Sequence, residues 1–297
     1  MSKMKYTALL LFTTMLMGVA FPVGKIGLAY APPFLLTGIR FVLAGGLLAA
    51  LTAKKPQPRG AKQWARAATV GLIQSAGVMG CCYYSMHWIT SGESSIITCT
   101  NPLLVVVLGT LFAGTVYRAS QWLGVAIGFV GVAVTFGFHM TLNPGTFIGF
   151  AGALCFAAAT LLVKRWGPSF DTTVLAAYQM LAGGAALLVL SAFTEPFSFV
   201  LTPLSVTIVV WLAVMCSVVQ FAAWFYLLSN GDPAKTSAFL FLVPLFGVAF
   251  SWLLLGETVA WYVGVGGLFI CAGIVLVNWE RRPKALESAR KLVHNGG

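Results

Sequence analysis

Long runs without a single charged residue alternate with short polar stretches along this chain. The uncharged runs are Ala67–Gly92, Ser94–Tyr117, Ala119–Val163, Thr172–Thr194, Pro196–Gly231, Thr236–Gly256 and Thr258–Trp279. A bilayer core about 30 Å thick is crossed by a helix of roughly 20 apolar residues. Cut at this length, the pattern predicts ten helices, over about 6–29, 33–53, 67–90, 94–116, 120–138, 146–164, 172–193, 204–229, 234–255 and 260–279. Asn143-Pro144-Gly145 divides the longest run in two, and Pro196 and Pro203 mark a loop before the eighth helix. The first segment has features of a leader, namely Lys3, Lys5 and an Ala29-Tyr30-Ala31 site. Its apolar stretch is longer than a leader core and contains Lys25, so it is read as a retained helix. The expected fold is an all-α membrane protein.

Composition agrees. Charged residues make up 8% of the chain, against about 25% in soluble domains. The net charge of +11 would suit nucleic acid in another protein. Here 16 of the 18 Lys and Arg residues fall in clusters between or beyond the predicted helices, at Lys3/Lys5, Lys54 to Arg66, Arg118, Lys164/Arg165, Lys235 and Arg281 to Lys291. All lie on one side if the helices alternate, and the positive-inside rule makes that side cytoplasmic, with both termini. The lipid bilayer is the expected partner and nucleic acid is not. The two exceptions, Lys25 and Arg40, lie within helices 1 and 2. The six cysteines all sit in apolar segments, where small packing residues are expected rather than disulfides or metal ligands.

The chain also repeats. Leu43-Ala44-Gly45-Gly46 recurs as Leu181-Ala182-Gly183-Gly184. Tyr84 matches Tyr226, Pro102 matches Pro244, Gly114 matches Gly256 and Gly131 matches Gly273, all 142 residues apart. The expected organisation is a first five-helix unit over 1–139, a second over 140–280 and a basic cytoplasmic tail over 281–297. An odd helix number inserts the second unit in the opposite direction. Two inverted five-helix repeats around a central cavity are a hallmark of secondary transporters, whose substrates bind near the midplane between repeats.

Ten helices as five plus five, prolines in helices 4 and 9, Leu255-Gly256-Glu257 closing helix 9, and Gly264-Val265-Gly266-Gly267 with Gly273 in the last helix resemble the drug/metabolite transporter superfamily, specifically its EamA-type exporters. Within it the chain is most similar to bacterial aromatic amino-acid exporters of the YddG type. The resemblance implies efflux of amino acids or similar metabolites through the inner membrane. Relatives that move nucleotide sugars, phosphorylated sugars or drugs are the alternatives. The first repeat departs from the second in carrying Gly114-Thr115 where the second has Gly256-Glu257, which weakens a coupling role for Glu257.

Polar and aromatic residues at membrane depth are costly unless they face an interior, so they are the candidate cavity residues. They are Gln74, Tyr83, Tyr84 and His87 on helix 3, Thr98 and Asn101 on helix 4, Tyr178 and Gln179 on helix 7, and Gln220 and Trp224 on helix 8. Each serves equally well in a helix–helix hydrogen bond, and His87 suits the interfacial belt. Arg40, about 10 Å deep at 1.5 Å per residue, is either a ligand for a substrate carboxylate or a structural lock. Pro102 and Pro244 each remove a helical hydrogen bond and are candidate hinges or gates. Gly18 to Gly24-Lys25 is no phosphate loop, since its spacing is wrong and Ile26 follows, so ATP is not an expected partner. Scattered histidines and single acids suggest neither an enzyme, a catalytic group, a metal site nor a cofactor. Sparse membrane-depth charge favours zwitterionic or neutral solutes over phosphates.

Overall fold

The computed structural model describes residues 3–114, 116–135, 143–230, 240, 242–258 and 260–278. The basic tail 281–297, the start of predicted helix 9 and the end of predicted helix 5 lie outside the described residues. Among those described, all regular structure is helical. The elements are α1 (Lys3–Gly27), α2 (Pro33–Leu51), α3 (Gly60–Gly71, continued as a π-helical stretch Leu72–Met79 and by Gly80–Ser85), α4 (Ser91–Thr98 and Asn101–Ala113), α5 (Ala119–Thr135), α6 (Pro144–Trp166), α7 (Thr172–Thr194), α8 (Pro203–Ala213, a π-helical stretch Val214–Val219, then Gln220–Asn230), α9 (Leu242–Leu255) and α10 (Trp261–Asn278). Six stretches are long and apolar enough to cross a membrane: Met4–Gly27, Pro33–Leu51, Ser91–Phe112, Pro144–Ser169, Thr172–Thr194 and Pro203–Trp224. Ala119–Val134, Leu242–Leu255 and Trp261–Val277 are shorter apolar helices.

Two boundaries differ from the sequence reading for physical reasons. Helix α3 starts at Gly60 rather than near 67, because its first turns are amphipathic and carry Lys62 and Arg66 on a polar face. Helix α4 starts at Ser91 rather than 94. Thr90 accepts a hydrogen bond from the Glu93 N–H, and the Glu93 carboxylate accepts one from the Thr90 N–H, which closes a capping box.

The helix ends fall into two sets. At one end, Lys55 pairs with Asp171 at 3.3 Å, Gln63 donates to the Ser169 carbonyl, and Arg66 stacks over the Trp166 ring. This end carries the loop lysines and arginines and is called the basic end below. The opposite, acid end carries Glu93, Glu195 and Glu257. All three of these carboxylates accept from the first N–H groups of a helix, where the helix dipole favours negative charge. Pro32 and Pro33 leave α2 with no side-chain cap of its own. Glu195, from the end of α7, replaces it by accepting from the Phe34 N–H (2.9 Å) and the Leu35 N–H (3.0 Å).

Packing is closest where glycine removes a side chain. A Cβ on Gly18 of α1 would come within 2.6 Å of the Phe246 Cβ and 2.8 Å of the Gly247 nitrogen of α9. A Cβ on Gly45 of α2 would meet the Leu181 nitrogen of α7 at 2.7 Å, and one on Gly124 of α5 the Gly273 carbonyl of α10 at 2.6 Å. The two most extensive helix pairings are α5 with α10 and α2 with α7, and α1 also packs closely on α9. Among the described residues, Ser91–Thr98 of α4 packs mainly against α9, α6 and α1, and Asn101–Ala113 mainly against α6, with α5 and α10.

Candidate functional site

Arg40 has the most fully described hydrogen bonding of the candidate residues. It is 3% exposed, and its guanidinium is held from two other helices. Nε donates to the Ser217 Oγ (3.1 Å), Nη1 to the Tyr83 Oη (2.9 Å) and Nη2 to the Cys216 carbonyl (2.9 Å). Tyr83, itself 1% exposed, passes the chain on by donating to the Ala20 carbonyl at 3.0 Å. Four helices, α1, α2, α3 and α8, are therefore tied through one side chain. The π-helical stretch of α8 supplies two of its partners. There Ser217 Oγ donates five residues back to the Leu212 carbonyl, a spacing the wider π turn accommodates. Of the two readings open for Arg40, this geometry is that of the structural lock.

Lys25 is similarly engaged. Its ammonium donates to the carbonyls of Met86 and of Ile89, the latter at 3.2 Å. Both carbonyls sit just past the last turn of α3, where a cation is favoured.

Helix α4 is interrupted at Cys99 and Thr100. Pro102 occupies the first turn of the second segment rather than the middle of a continuous helix. It has no N–H to give to Thr98, and the Leu103 N–H turns to the Thr100 carbonyl at 2.9 Å. The carbonyls of Thr98 and Cys99 therefore miss the helical bonds that would otherwise reach them. Beside them, Asn101 Oδ1 is buried with no hydrogen-bond partner among the described residues. A buried acceptor without a donor is costly, and this one lies at the interruption. Thr98, by contrast, is buried and donates to the Ser94 carbonyl at 2.8 Å. Pro244 is buried in the first turn of the described part of α9.

The remaining candidates separate. Gln74 lies inside the π-helical stretch of α3, and Gln220 directly follows that of α8. Both are half-buried, as is Trp224, and Gln179 is buried on α7. Tyr84 and His87 sit together at the acid end, with ring centroids 5.4 Å apart, and Tyr84 stacks on Phe34 at 5.3 Å. They line a cleft of about 370 Å³ with the 28–33 loop and with Thr194, Glu195, Pro196, Ser198 and Val200. Tyr178 donates to Gln57 Oε1 at 2.7 Å and meets Trp64 edge-on, both at the basic end.

Nothing local in the sequence signals Ser217, and the Leu255-Gly256-Glu257 motif does not tell which groups Glu257 meets. Glu257 Oε1 accepts from the Ser91 N–H (3.0 Å), and its Oε2 from the Ser91 hydroxyl (3.1 Å) and the Gly92 N–H (3.3 Å). Ser91 Oγ is also 2.8 Å from Ser251 Oγ. The end of α9 is thus fastened to the start of α4. Gly256, at φ +64°, provides the left-handed turn that brings Glu257 there.

The model of the EamA-like transporter family matches the chain twice, over residues 4–137 and 143–279. A Bacillus subtilis (strain 168) protein named as an uncharacterized transporter, YvbV, is 30% identical over 284 residues, covering 93% of this chain and 92% of its own. An Escherichia coli (strain K12) protein named as an uncharacterized inner membrane transporter, YedA, is 29% identical over 82% of this chain and 80% of its own. A solved crystal structure superimposes with a TM-score of 0.66 at 18% identity, covering 98% of this chain and 99% of the other. That likeness is one of fold.

Proposed function

Because this chain belongs to the EamA-like transporter family, we propose that it moves small neutral or zwitterionic metabolites, foremost amino acids with apolar or aromatic side chains, out across a bacterial inner membrane by alternating access. The observation that carries the substrate class is the state of the two membrane-depth cations. Arg40 is committed to three protein acceptors and Lys25 to two carbonyls. No other Lys or Arg lies at that depth among the described residues. Phosphorylated sugars and nucleotide sugars need fixed positive charge to offset their own in a low-dielectric cavity. The groups left to meet a solute are amides and aromatic rings: Gln74, Gln220, Asn101 and Trp224.

The alternating-access reading takes the chain as two inverted five-helix units, and matching features in the two halves support it. The π-helical stretches start at Leu72 and Val214, 142 residues apart, and the left-handed glycines Gly114 and Gly256 keep the same offset. The two pairings α2 with α7 and α5 with α10 each join helices that occupy equivalent places in the two matched ranges. The interruption beside Pro102 and the buried Pro244 are the hinge positions of this reading, and the basic end is the cytoplasmic one.

Flux into proteoliposomes tests the proposal. Saturable uptake of labelled aromatic or aliphatic amino acids is expected, with no competition from sugar phosphates. Competition by sugar phosphates, or no saturable flux for any amino acid, refutes the substrate class. Flux that never saturates refutes alternating access.

A further inference from the structure

The contact made by Glu257 is one-sided. It fastens the acid end through five groups: the Glu257 carboxylate, the Ser91 N–H and hydroxyl, the Gly92 N–H, and the Ser251 hydroxyl. Lys25 closes the same end by joining α1 to the end of α3. Just beneath, Gly18, Gly247 and Ser95 let α1, α9 and α4 meet without space for a Cβ. If the chain is an inverted repeat, the opposite end should carry an equivalent contact, made by the residues 142 positions away. The sequence there removes the carboxylate, both hydroxyls and one of the two N–H groups, and only Ala234, in place of Gly92, keeps its N–H. Thr115 stands in place of Glu257, Pro233 in place of Ser91, and Gly109 in place of Ser251. Threonine has no carboxylate, proline has neither an N–H nor a hydroxyl, and glycine has no hydroxyl. An acid-end lock is present and a basic-end lock cannot form from the equivalent residues.

We propose that Glu257 is a positioning residue for the transport cycle. By fastening α9 to the N-terminus of α4, it holds the empty carrier closed at the acid end and open toward the basic end. Among the described residues, the Ser91–Thr98 half of α4 packs against α9, α6 and α1, and the Asn101–Ala113 half chiefly against α6. An exporter so biased presents its site to the cytoplasm when empty. Substrate opens the other side only to the extent that it binds that state better. The inference rests on the alternating-access reading above, and it adds the element that sets the resting state.

Hydrogen–deuterium exchange on the full chain in lipid nanodiscs, without substrate, tests it. Glu257→Thr removes hydrogen bonds to a charged acceptor worth about 1.5–3 kcal/mol, so the equilibrium should move roughly tenfold to a hundredfold toward the acid-end-open state. Exchange should rise across 91–98 and, in the same sample, fall across 106–113 and 220–227 at the basic end. That reciprocal fall separates a shifted equilibrium from mere fraying. Glu257→Gln, which keeps an acceptor and loses the charge, should lie between. Thr115→Glu with Pro233→Ala should drive the reverse change, closing the basic end. A rise at 91–98 with no fall at the basic end overturns the proposal, as does no change in either variant. Flux in proteoliposomes is read separately. Reciprocal exchange without flux would sink the substrate assignment and leave the lock standing; normal flux without reciprocal exchange would sink the lock alone.

Discussion

Replacing Arg40 separates an architectural side chain from a substrate ligand. Arg40→Ala deletes three hydrogen bonds, but two of the acceptors keep other partners. Tyr83 Oη still donates to Ala20, and Ser217 Oγ still donates to Leu212. Only the Cys216 carbonyl loses its side-chain donor, at about 1–3 kcal/mol for a buried acceptor left unsatisfied. The vacated volume, roughly 100 Å³, adds about 2 kcal/mol at ~24 cal/mol per Å³. Relief from burying a cation without an acid beside it works the other way. The net expectation is a loss of about 3 kcal/mol, or on the order of 6 °C at ~2 °C per kcal/mol for a chain of this size. Arg40→Met, which fills the space without the charge, should recover most of the loss. Arg40→Lys should not, because an ammonium cannot serve three acceptors fixed in a fork. The assay is thermal denaturation in detergent alongside flux in proteoliposomes. An unchanged melting temperature in Arg40→Ala, together with a half-saturation constant raised about tenfold, refutes the lock and makes Arg40 a substrate ligand.

Other outcomes are expected on the same footing. Gly18→Leu should separate α1 from α9 and abolish the folded protein in size-exclusion chromatography, because even a Cβ there falls 2.6 Å from Phe246 Cβ. Asn101→Leu should reduce flux at least as much as it reduces melting temperature, since Asn101 Oδ1 has no partner to lose; a change in stability alone would place it outside the transport path. Trp224→Ala and Tyr84→Ala should change substrate preference more than expression, and identical selectivity profiles in both variants would remove them from the path. Burial alone would raise the Asp171 carboxyl, but hydrogen bonds from Thr173, Val174 and Lys55 hold it below the usual carboxylate range. Its folded-state value is therefore depressed, so its contribution to stability is present at neutral pH and lost as pH falls through that value. Melting from pH 7 to pH 3 should show a decline that is shallower in Asp171→Asn.

Much of the helical layout was legible because hydrophobic length and charge placement act locally. The interruption of α4 could be anticipated from Asn101-Pro102, since proline removes a donor wherever it stands. The π-helical stretches could not, because neither Leu72–Met79 nor Val214–Val219 contains a proline and a widened turn has no composition of its own. The fate of Arg40 was open for a similar reason. Its depth was readable, but its partners lie 43, 176 and 177 residues away, and only the packed helices bring them within reach. The partners of Tyr178, Gln57 and Trp64, were out of reach in the same way, 121 and 114 residues away. Glu195 and Glu257 each complete a helix start far away in the chain, which no local pattern around them shows.

The glycine-lined pairings α2 with α7 and α5 with α10 draw one helix each from residues 4–137 and 143–279. A chain of half this length would leave both seams bare. Its α2 and α5 would carry faces shaped for a backbone at contact distance and have only lipid to set against them. It could fill them by meeting a second copy of itself inserted upside down, and its loops would then have to permit both insertions. With the halves inserted oppositely, as proposed above, joining them removes that requirement. Each half is free to fix its own orientation through its own lysines and arginines, and the two ends of the molecule are free to become chemically different.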